Sequence, residues 1–270
     1  IRSQQIIVDS KARVRVSCYT RGYAIGIITM LKKLALLPFI GLLSLPLPAA
    51  YADNANDLDE FRSKLSNEWL LVKNDRLRNI KTYARLEDGK RYRSFKVEAT
   101  FESSVEALAR VLLDFENYTR WFWKTRESRL IRQNSPTEYL VYMVHDAPYG
   151  LPDRDTVIKA TVEPQAKNKP YVTLRVTAVP DAQPAKPPLV RMLAEEMTIK
   201  FTTLPNNQIE MVTEGYFDPG GVVPAWAANF VQRNAPYAVL VALQRTTQKP
   251  EYNKSTPPLP FPVYNYDNLP

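Results

Sequence analysis

Residues 217–229 read Phe-Asp-Pro-Gly-Gly-Val-Val-Pro-Ala-Trp-Ala-Ala-Asn, with turn-forming residues in front and helix-compatible residues behind. Gly220 and Gly221 can accept a positive φ, so the backbone can turn sharply at this point. Pro224 then stands where a proline is tolerated, in the first turn of a helix. The stretch therefore predicts a strand that ends in a tight turn and leads directly into a helix.

This C-terminal helix is predicted over residues 224–244. Trp226, Phe230, Tyr237 and Val241 give it a large apolar side, which needs a partner to be buried. Pro236 lies in its interior and predicts a kink.

Upstream of this helix, β-branched and aromatic residues occur in short runs that are separated by turn residues. The predicted strands are residues 80–84, 91–100, 126–132, 138–145, 156–163, 171–179, 196–204 and 208–217. Short turns between successive strands favour antiparallel pairing. Because one face of such a sheet must be buried, the C-terminal helix is its natural partner. The sequence thus predicts an α+β fold in which a curved antiparallel sheet wraps around a long C-terminal helix.

Two further helices are predicted ahead of the long one. Apolar residues recur at helical spacing over residues 58–72, and Ser103 or Ser104 can cap a short helix over residues 105–113. The aromatic-rich residues 114–123 have no clear period and predict a short helix and a turn.

The segments outside residues 53–248, the predicted domain, have their own signatures. Two lysines, an apolar run and a small-x-small end make residues 30–52 a signal peptide, with cleavage after Ala52; an uncleaved anchoring helix is the alternative. Residues 1–29 are interpreted as an over-extended N-terminus, with a basic tail as the alternative. Residues 249–270 form a proline-rich tail. The mature product is expected to be periplasmic or secreted.

Composition excludes several classes of site. The chain has one Cys and one His, which leaves little from which to build a disulfide framework or a zinc site. No metal and no cofactor are therefore expected. The net charge of +8 comes mainly from residues 1–52, since the remainder has 29 basic and 27 acidic residues. Nucleic-acid binding is not expected once this leader is removed.

Enzymatic chemistry has little to support it in the sequence. His145 and Asp146 are the only adjacent His and carboxylate residues, and neighbours in a strand point to opposite faces. There is also no Gly-x-Ser-x-Gly nucleophile elbow. The protein is not expected to be an enzyme, although a cyclase with scattered Tyr, Arg and Glu residues would have no linear signature.

The order of elements resembles the helix-grip fold of the START and Bet v 1-like families. Residues 149–157 (Tyr-Gly-Leu-Pro-Asp-Arg-Asp-Thr-Val) resemble the START turn that leads through Arg-Asp into a strand, and residues 217–229 resemble the start of the family's last helix. Residues 115–121 are similar to the family's early helical segment. The resemblance covers residues 58–244 and implies a carrier of apolar ligands. Residues 150–151 depart from it, because other members often have a bulkier side chain there.

A carrier of this kind needs a concave, mostly apolar pocket with a few placed polar groups. The residues chosen as candidates to line it are Trp121, Trp123, Tyr142, Val144, Arg154, Trp226, Phe230 and Tyr237. Each aromatic residue could equally belong to a filled core, and the preference for a cavity follows from the resemblance. Arg154 could orient a polar head group, or it could form a surface ion pair at the start of a strand.

The resemblance implies that the protein binds a lipid or another hydrophobic small molecule in an internal cavity and transfers it without catalysis. We expect a monomer that makes transient membrane contact. One alternative is an enzyme of the polyketide-cyclase or hydratase type that uses the same cavity. Another is a periplasmic interaction module that uses the proline-rich tail. The carrier hypothesis requires an empty apolar space between the curved sheet and the terminal helix.

Overall fold

A computed structural model describes residues 67–269 of the chain. The predicted leader and most of the predicted first helix lie outside the described residues. The strands are β1 (Leu70–Asp75), β2 (Ile80–Arg85), β3 (Ser94–Glu102), β4 (Thr125–Ser135), β5 (Glu138–His145), β6 (Arg154–Glu163), β7 (Tyr171–Ala178), β8 (Val190–Arg191), β9 (Ala194–Leu204) and β10 (Gln208–Asp218). The α-helices are α1 (Val105–Leu113) and α2 (Ala225–Thr247), and 3₁₀ turns cover Phe115–Arg120, Pro180–Ala182, Pro250–Tyr252 and Tyr266–Asn268.

Nine of these strands form one antiparallel sheet in the order β1-β2-β3-β10-β9-β7-β6-β5-β4. The short β8 pairs in parallel with the start of β6. Side chains alternate between the two faces of each strand, so in β6 Ile158, Ala160 and Val162 face the interior while Lys159 is exposed. The predicted α+β fold is therefore confirmed.

The beginning of β1 corrects one prediction from helical spacing. The helix predicted over residues 58–72 does not extend through its last residues, because Leu70–Asp75 is a strand paired with β2. Trp69 lies directly before this strand, and Val72 lies within it at an irregularity in the pairing with β2. Propensity and spacing are weak priors that tertiary contacts override.

The helix α1 is short and well capped. The Ser104 hydroxyl accepts a hydrogen bond from the backbone N–H of Ala107 at 3.0 Å, which satisfies one of the free donors at the helix start. Leu108 and Val111 are buried on the side that faces the sheet. This helix and the 3₁₀ turn that follows it pack in the same core as the inner face of the sheet.

The turn in front of α2 has the geometry that the sequence predicts. Gly220 and Gly221 have φ of +66° and +60°, and the Gly220 N–H donates to the Asp218 carboxylate at 2.9 Å. A Cβ atom at Gly220 would lie 2.4 Å from the carbonyl oxygen of Arg191, so both the conformation and the space require glycine. The helix α2 follows as predicted and continues through Pro236.

The helix α2 is buried mainly in its second half. Leu240 and Leu243 pack into the core, where the helix contacts β2, β3 and α1. Tyr237 donates a hydrogen bond to Asp75 at 2.6 Å, and this bond, with that from Arg78, holds the pKa of the Asp75 carboxyl at about 2. Within residues 67–269 no helix is long and apolar enough to cross a membrane.

The proline-rich tail returns to the domain after α2. The Gln165 side chain donates to the carbonyl of Tyr264 at 2.8 Å and accepts from its N–H at 2.7 Å. The Asn265 side chain accepts from the N–H of Val105, at the start of α1, at 3.2 Å. Phe261 is buried in the same core as the sheet. Residues 261–265 are therefore a wall of the domain.

Candidate functional site

The interior of the domain contains a cavity of about 80 Å³ between the sheet and α1. The helix contributes Val105, Leu108, Ala109, Leu112 and Leu113 to its wall, and the segment that follows the helix contributes Phe115, Tyr118 and Phe122. The cavity is almost entirely apolar because each of these elements turns its hydrophobic side inward.

The sheet supplies the opposite wall. Four strands, β5, β6, β7 and β9, line it with the residues of one face, which include Met143, Ala160, Leu174 and Ile199. 

The tail closes the cavity with Phe261 and Val263. These two side chains come from a segment without α-helix or strand. The hydrogen bonds between the Gln165 side chain and the backbone of Tyr264 hold this segment against the domain. The described residues thus enclose the space with a helix, a sheet and a segment of irregular chain.

One lining residue carries a carboxyl group. Glu195, near the start of β9, is only 3% exposed, and its Oε2 atom has no hydrogen-bond partner among the described residues. Burial raises the pKa of this carboxyl to about 7, while the Thr156 hydroxyl opposes part of the rise. Because a buried carboxylate without a partner is costly, the site favours either a proton on Glu195 or a ligand that bonds to it.

Further polar groups lie on the same face of β5 and β6. Thr156 is fully buried, and its hydroxyl has no partner among residues 67–269. His145 stands opposite Arg154 in the strand register, with its Nδ1 atom 3.2 Å from the Thr125 hydroxyl. Burial of the imidazole lowers the pKa of His145 to about 4, although the residue as a whole keeps some exposure. These polar groups lie on the inner face of the sheet, outside the residues that line the cavity.

The eight candidate residues of the sequence analysis all lie outside the lining of this cavity. Trp121 is buried against Tyr118, with ring centroids 5.0 Å apart. Tyr142 and Val144 belong to a separate cluster on the outer face of the sheet, where the Lys186 amine lies 3.9 Å from the Tyr142 ring centroid. Tyr237 bonds to Asp75 at the edge strand.

Arg154 is buried on the same face of β6 as Thr156 and forms no ion pair with its neighbours in sequence. Its guanidinium donates to the carbonyl of Pro152, and burial lowers its pKa. Asp153 instead pairs with Arg126, and Asp155 pairs with Arg191 at 2.9 Å on the outer face. Arg154 thus faces inward, as a group that orients a ligand would, but does not line the cavity.

The remaining three candidates gather at the surface. Trp226 and Phe230, at the start of α2, pack with Tyr149 of the β5–β6 loop at ring-centroid distances of 5.2 Å and 6.0 Å, and Trp123 lies 6.2 Å from Phe230. Tyr149, Trp226 and Phe230 are 77%, 48% and 37% exposed. We call these three residues the aromatic patch.

Sequence reasoning did not find Glu195. Its neighbour Glu196, on the other face of β9, is exposed. A shift of one residue moves every side chain of a strand to the other face. The only signal available was the alternation of Met197, Ile199 and Phe201 with charged residues and threonine, which places Glu195 on their face.

Comparisons with known proteins agree with this architecture. No family model matches the chain. An uncharacterized protein of Pseudomonas aeruginosa is 24% identical over 187 residues, which cover 68% of this chain and 89% of that protein.

Solved structures show the same fold. A fragment of a StAR-related lipid transfer protein from Xanthomonas axonopodis has a TM-score of 0.61 and 27% identity, over 67% of this chain and 99% of that chain. Human StAR-related lipid transfer protein 5 has a TM-score of 0.58 and 15% identity, over 74% of this chain and 94% of that chain. The resemblance seen in the sequence is confirmed, and the chain has the helix-grip fold of the START domains.

Proposed function

We propose that the protein binds a lipid or another hydrophobic small molecule in the cavity and transfers it unchanged. The observation that carries the proposal is the apolar space enclosed by α1, the inner face of the sheet and the tail. Enclosure itself supplies affinity, because burial of apolar surface contributes about 25 cal/mol per Å². The similarity to a bacterial StAR-related lipid transfer protein supports the same ligand class.

The size of the cavity implies that its wall moves when a ligand enters. A cavity of about 150 Å³ holds one benzene molecule, and the present volume of about 80 Å³ is smaller. We propose that Phe261 and Val263 move outward, because they belong to an irregular segment and leave the strand ladder intact. The ligand then replaces their contacts with its own apolar surface.

Transient membrane contact belongs to this proposal, with the aromatic patch as the contact surface. Tryptophan and tyrosine favour the interface between membrane and water, where an apolar ring body and a polar edge are both satisfied. Trp226, Tyr149 and Phe230 lie together at the surface and outside the cavity. A lipid carrier needs such a surface to reach its donor and acceptor membranes.

Export to the periplasm or the medium is also part of the proposal, and its support is the leader in residues 30–52. An N-terminus at Asp53 in the mature protein would support export. An unprocessed chain in the cytoplasm would contradict it.

Uptake of fluorescent fatty-acid and sterol analogues by delipidated protein tests the binding proposal. Ala160→Leu adds bulk to the cavity wall and is expected to weaken uptake at least fivefold, while Phe261→Ala enlarges the cavity and preserves or strengthens it. Lys159→Leu is the matched control, because Lys159 is the adjacent exposed residue on the opposite face of β6. Circular dichroism verifies that each variant is folded.

No uptake over a broad panel would contradict the carrier. Mass spectrometry of the recovered ligand separates a carrier from a cyclase, since a carrier returns the ligand with unchanged mass. Ring closure or loss of water in the recovered molecule would favour the enzyme. The interaction-module hypothesis predicts a filled core and a partner that is lost when residues 249–270 are deleted.

A further inference from the structure

The tail reaches the cavity as an extended segment in which buried or half-buried residues alternate with exposed prolines. The more buried positions are Leu259, Phe261 and Val263, and the exposed ones between them are Pro258, Pro260 and Pro262. A proline has no backbone N–H, so half of this segment offers no donor to a strand ladder. The segment accordingly packs against the domain without becoming a strand of the sheet.

A few side-chain hydrogen bonds hold the tail in place. Gln165, which follows β6, is only 6% exposed. Its amide donates to the Tyr264 carbonyl at 2.8 Å and accepts from the Tyr264 N–H at 2.7 Å. Among the described residues this side chain bonds to Tyr264 alone, although glutamine is seldom buried. We call the pair of bonds between Gln165 and Tyr264 the latch.

The other walls of the cavity are fixed more firmly. Strands β5, β6, β7 and β9 each pair with a neighbour on both sides, and α1 has its own backbone hydrogen bonds and the Ser104 cap. Outside the latch, the Asn265 side chain accepts one bond from the N–H of Val105 at 3.2 Å. Segments with few hydrogen bonds open at a lower free energy than the helices and strands of a core. The tail is therefore the wall that opens most easily.

The side chain of Phe261 fills space that a ligand needs. It is buried and lines the cavity. The cavity measures about 80 Å³ with this ring in place, whereas about 150 Å³ holds one benzene molecule. Because the Phe261 ring has the size of benzene, its departure makes room for a group of the same size.

Resting on the proposed function, we infer that the tail is an internal competitor of the ligand, latched over the cavity in the empty protein and displaced in the complex. The Phe261 ring and the ligand cannot occupy the same space at once. When only the open form binds, the apparent affinity falls in proportion to the fraction of open protein. The latch thus controls how tightly and how fast the protein takes up its ligand.

Stopped-flow fluorescence with a fluorescent fatty-acid analogue tests the latch. Gln165→Leu removes both hydrogen bonds with little change of size, and each bond changes an equilibrium constant by about two- to tenfold. We expect the variant to bind the analogue about fivefold or more faster and more tightly than wild type. Its dissociation rate should stay within about twofold of the wild-type rate, because the latch is already open in the complex.

Two further substitutions accompany this variant. Asn265→Ala removes the single bond to Val105 and should give a smaller change in the same direction. Gln133→Leu is the matched control, since Gln133 is an exposed glutamine on β4 and far from the latch in the sheet order. Circular dichroism verifies that each variant is folded.

Hydrogen exchange follows the latch in the wild-type protein, without any substitution. The Tyr264 N–H, which donates to Gln165, should exchange about fivefold or more faster when the analogue is bound. The amides of Leu108 and Val111 in α1 should keep or gain protection. A tail that is only a structural wall would show the opposite result at Tyr264, because a ligand ordinarily stabilises the protein around it.

Three results would overturn the inference and leave the apolar carrier in place. They are unchanged affinity and association rate in folded Gln165→Leu, faster dissociation from that variant, and a Tyr264 amide that is equally or better protected in the complex. Should Gln165→Leu fail to fold, the exchange of Tyr264 in the wild-type protein decides. If neither wild type nor Phe261→Ala takes up any of the analogues, the proposed function itself fails.

Discussion

Glu195 and His145 make opposite contributions to the pH dependence of stability. The pKa of Glu195 rises from 4.5 to about 7 in the folded protein, so its contribution to stability is present below pH 4.5 and is lost as pH rises to about 7. The pKa of His145 falls from 6.5 to about 4, so stability is lost as pH falls from 6.5 through about 4. The two effects partly cancel in the wild-type protein.

Replacement of Glu195 separates them. Glu195→Gln removes the first effect, so the free energy of unfolding of the variant relative to wild type should increase between pH 5 and pH 8 by about 2–3 kcal/mol. Urea denaturation at both pH values measures this change. The exposed neighbour provides the control, since Glu196→Gln should give a difference that does not vary with pH. If the free energy of unfolding of Glu195→Gln differs from that of the wild type by the same amount at pH 5 and pH 8, the carboxyl is not held in an apolar site.

At the scale of single residues, the sequence predicted which residues are buried better than it predicted which face of the sheet they lie on. Tyr139–Val144 is a continuous apolar run, and both faces of β5 are in fact buried. Alternation then cannot say which residues face the cavity, because a strand covered on both sides loses its period-two signal. Tyr142 and Val144 were selected from this run, whereas Tyr139 and Met143 are the ones that line the space.

The ends of two elements form the aromatic patch. Tyr149 lies in the β5–β6 loop with φ of +53°, and the turn at Gly220 and Gly221 places the start of α2 beside it. The sequence predicted the turn and the helix because glycine and proline act locally. It could not predict that Trp226 and Phe230 would remain exposed, since this depends on where the long helix crosses the sheet.

The patch gives a prediction for membrane binding. The double substitution Tyr149→Ser and Trp226→Ser should weaken binding to phospholipid vesicles at least threefold, because it removes two interfacial aromatic anchors. Uptake of soluble probes into the cavity should not change, since neither residue lines it. Leu77, which is 93% exposed in the β1–β2 turn, provides the control, and Leu77→Ser should have no effect. Vesicle flotation measures the difference, and equal flotation of the double variant and wild type would argue against this contact surface.

For the molecule as a whole, the order of elements was sufficient to predict the fold, but it did not locate the empty space. The hollow was expected beneath the terminal helix, yet its lining comes from α1, the 3₁₀ turn, the sheet and the tail. Apolar faces are required both for a filled core and for a cavity wall, so hydrophobic pattern cannot distinguish them. The prolines predicted the tail, but its packing against the domain was not predicted, because its contacts with Gln165 and Val105 join residues 99 and 160 positions apart.

The central claim is that this interior holds an apolar ligand. Native mass spectrometry of the wild-type protein, purified without detergent from its own host, tests it most directly. We expect one small apolar molecule per chain, released on denaturation with unchanged mass and absent or strongly reduced in Ala160→Leu. Wild-type protein that carries no such molecule, and that acquires none after incubation with a mixed lipid extract, would contradict the account.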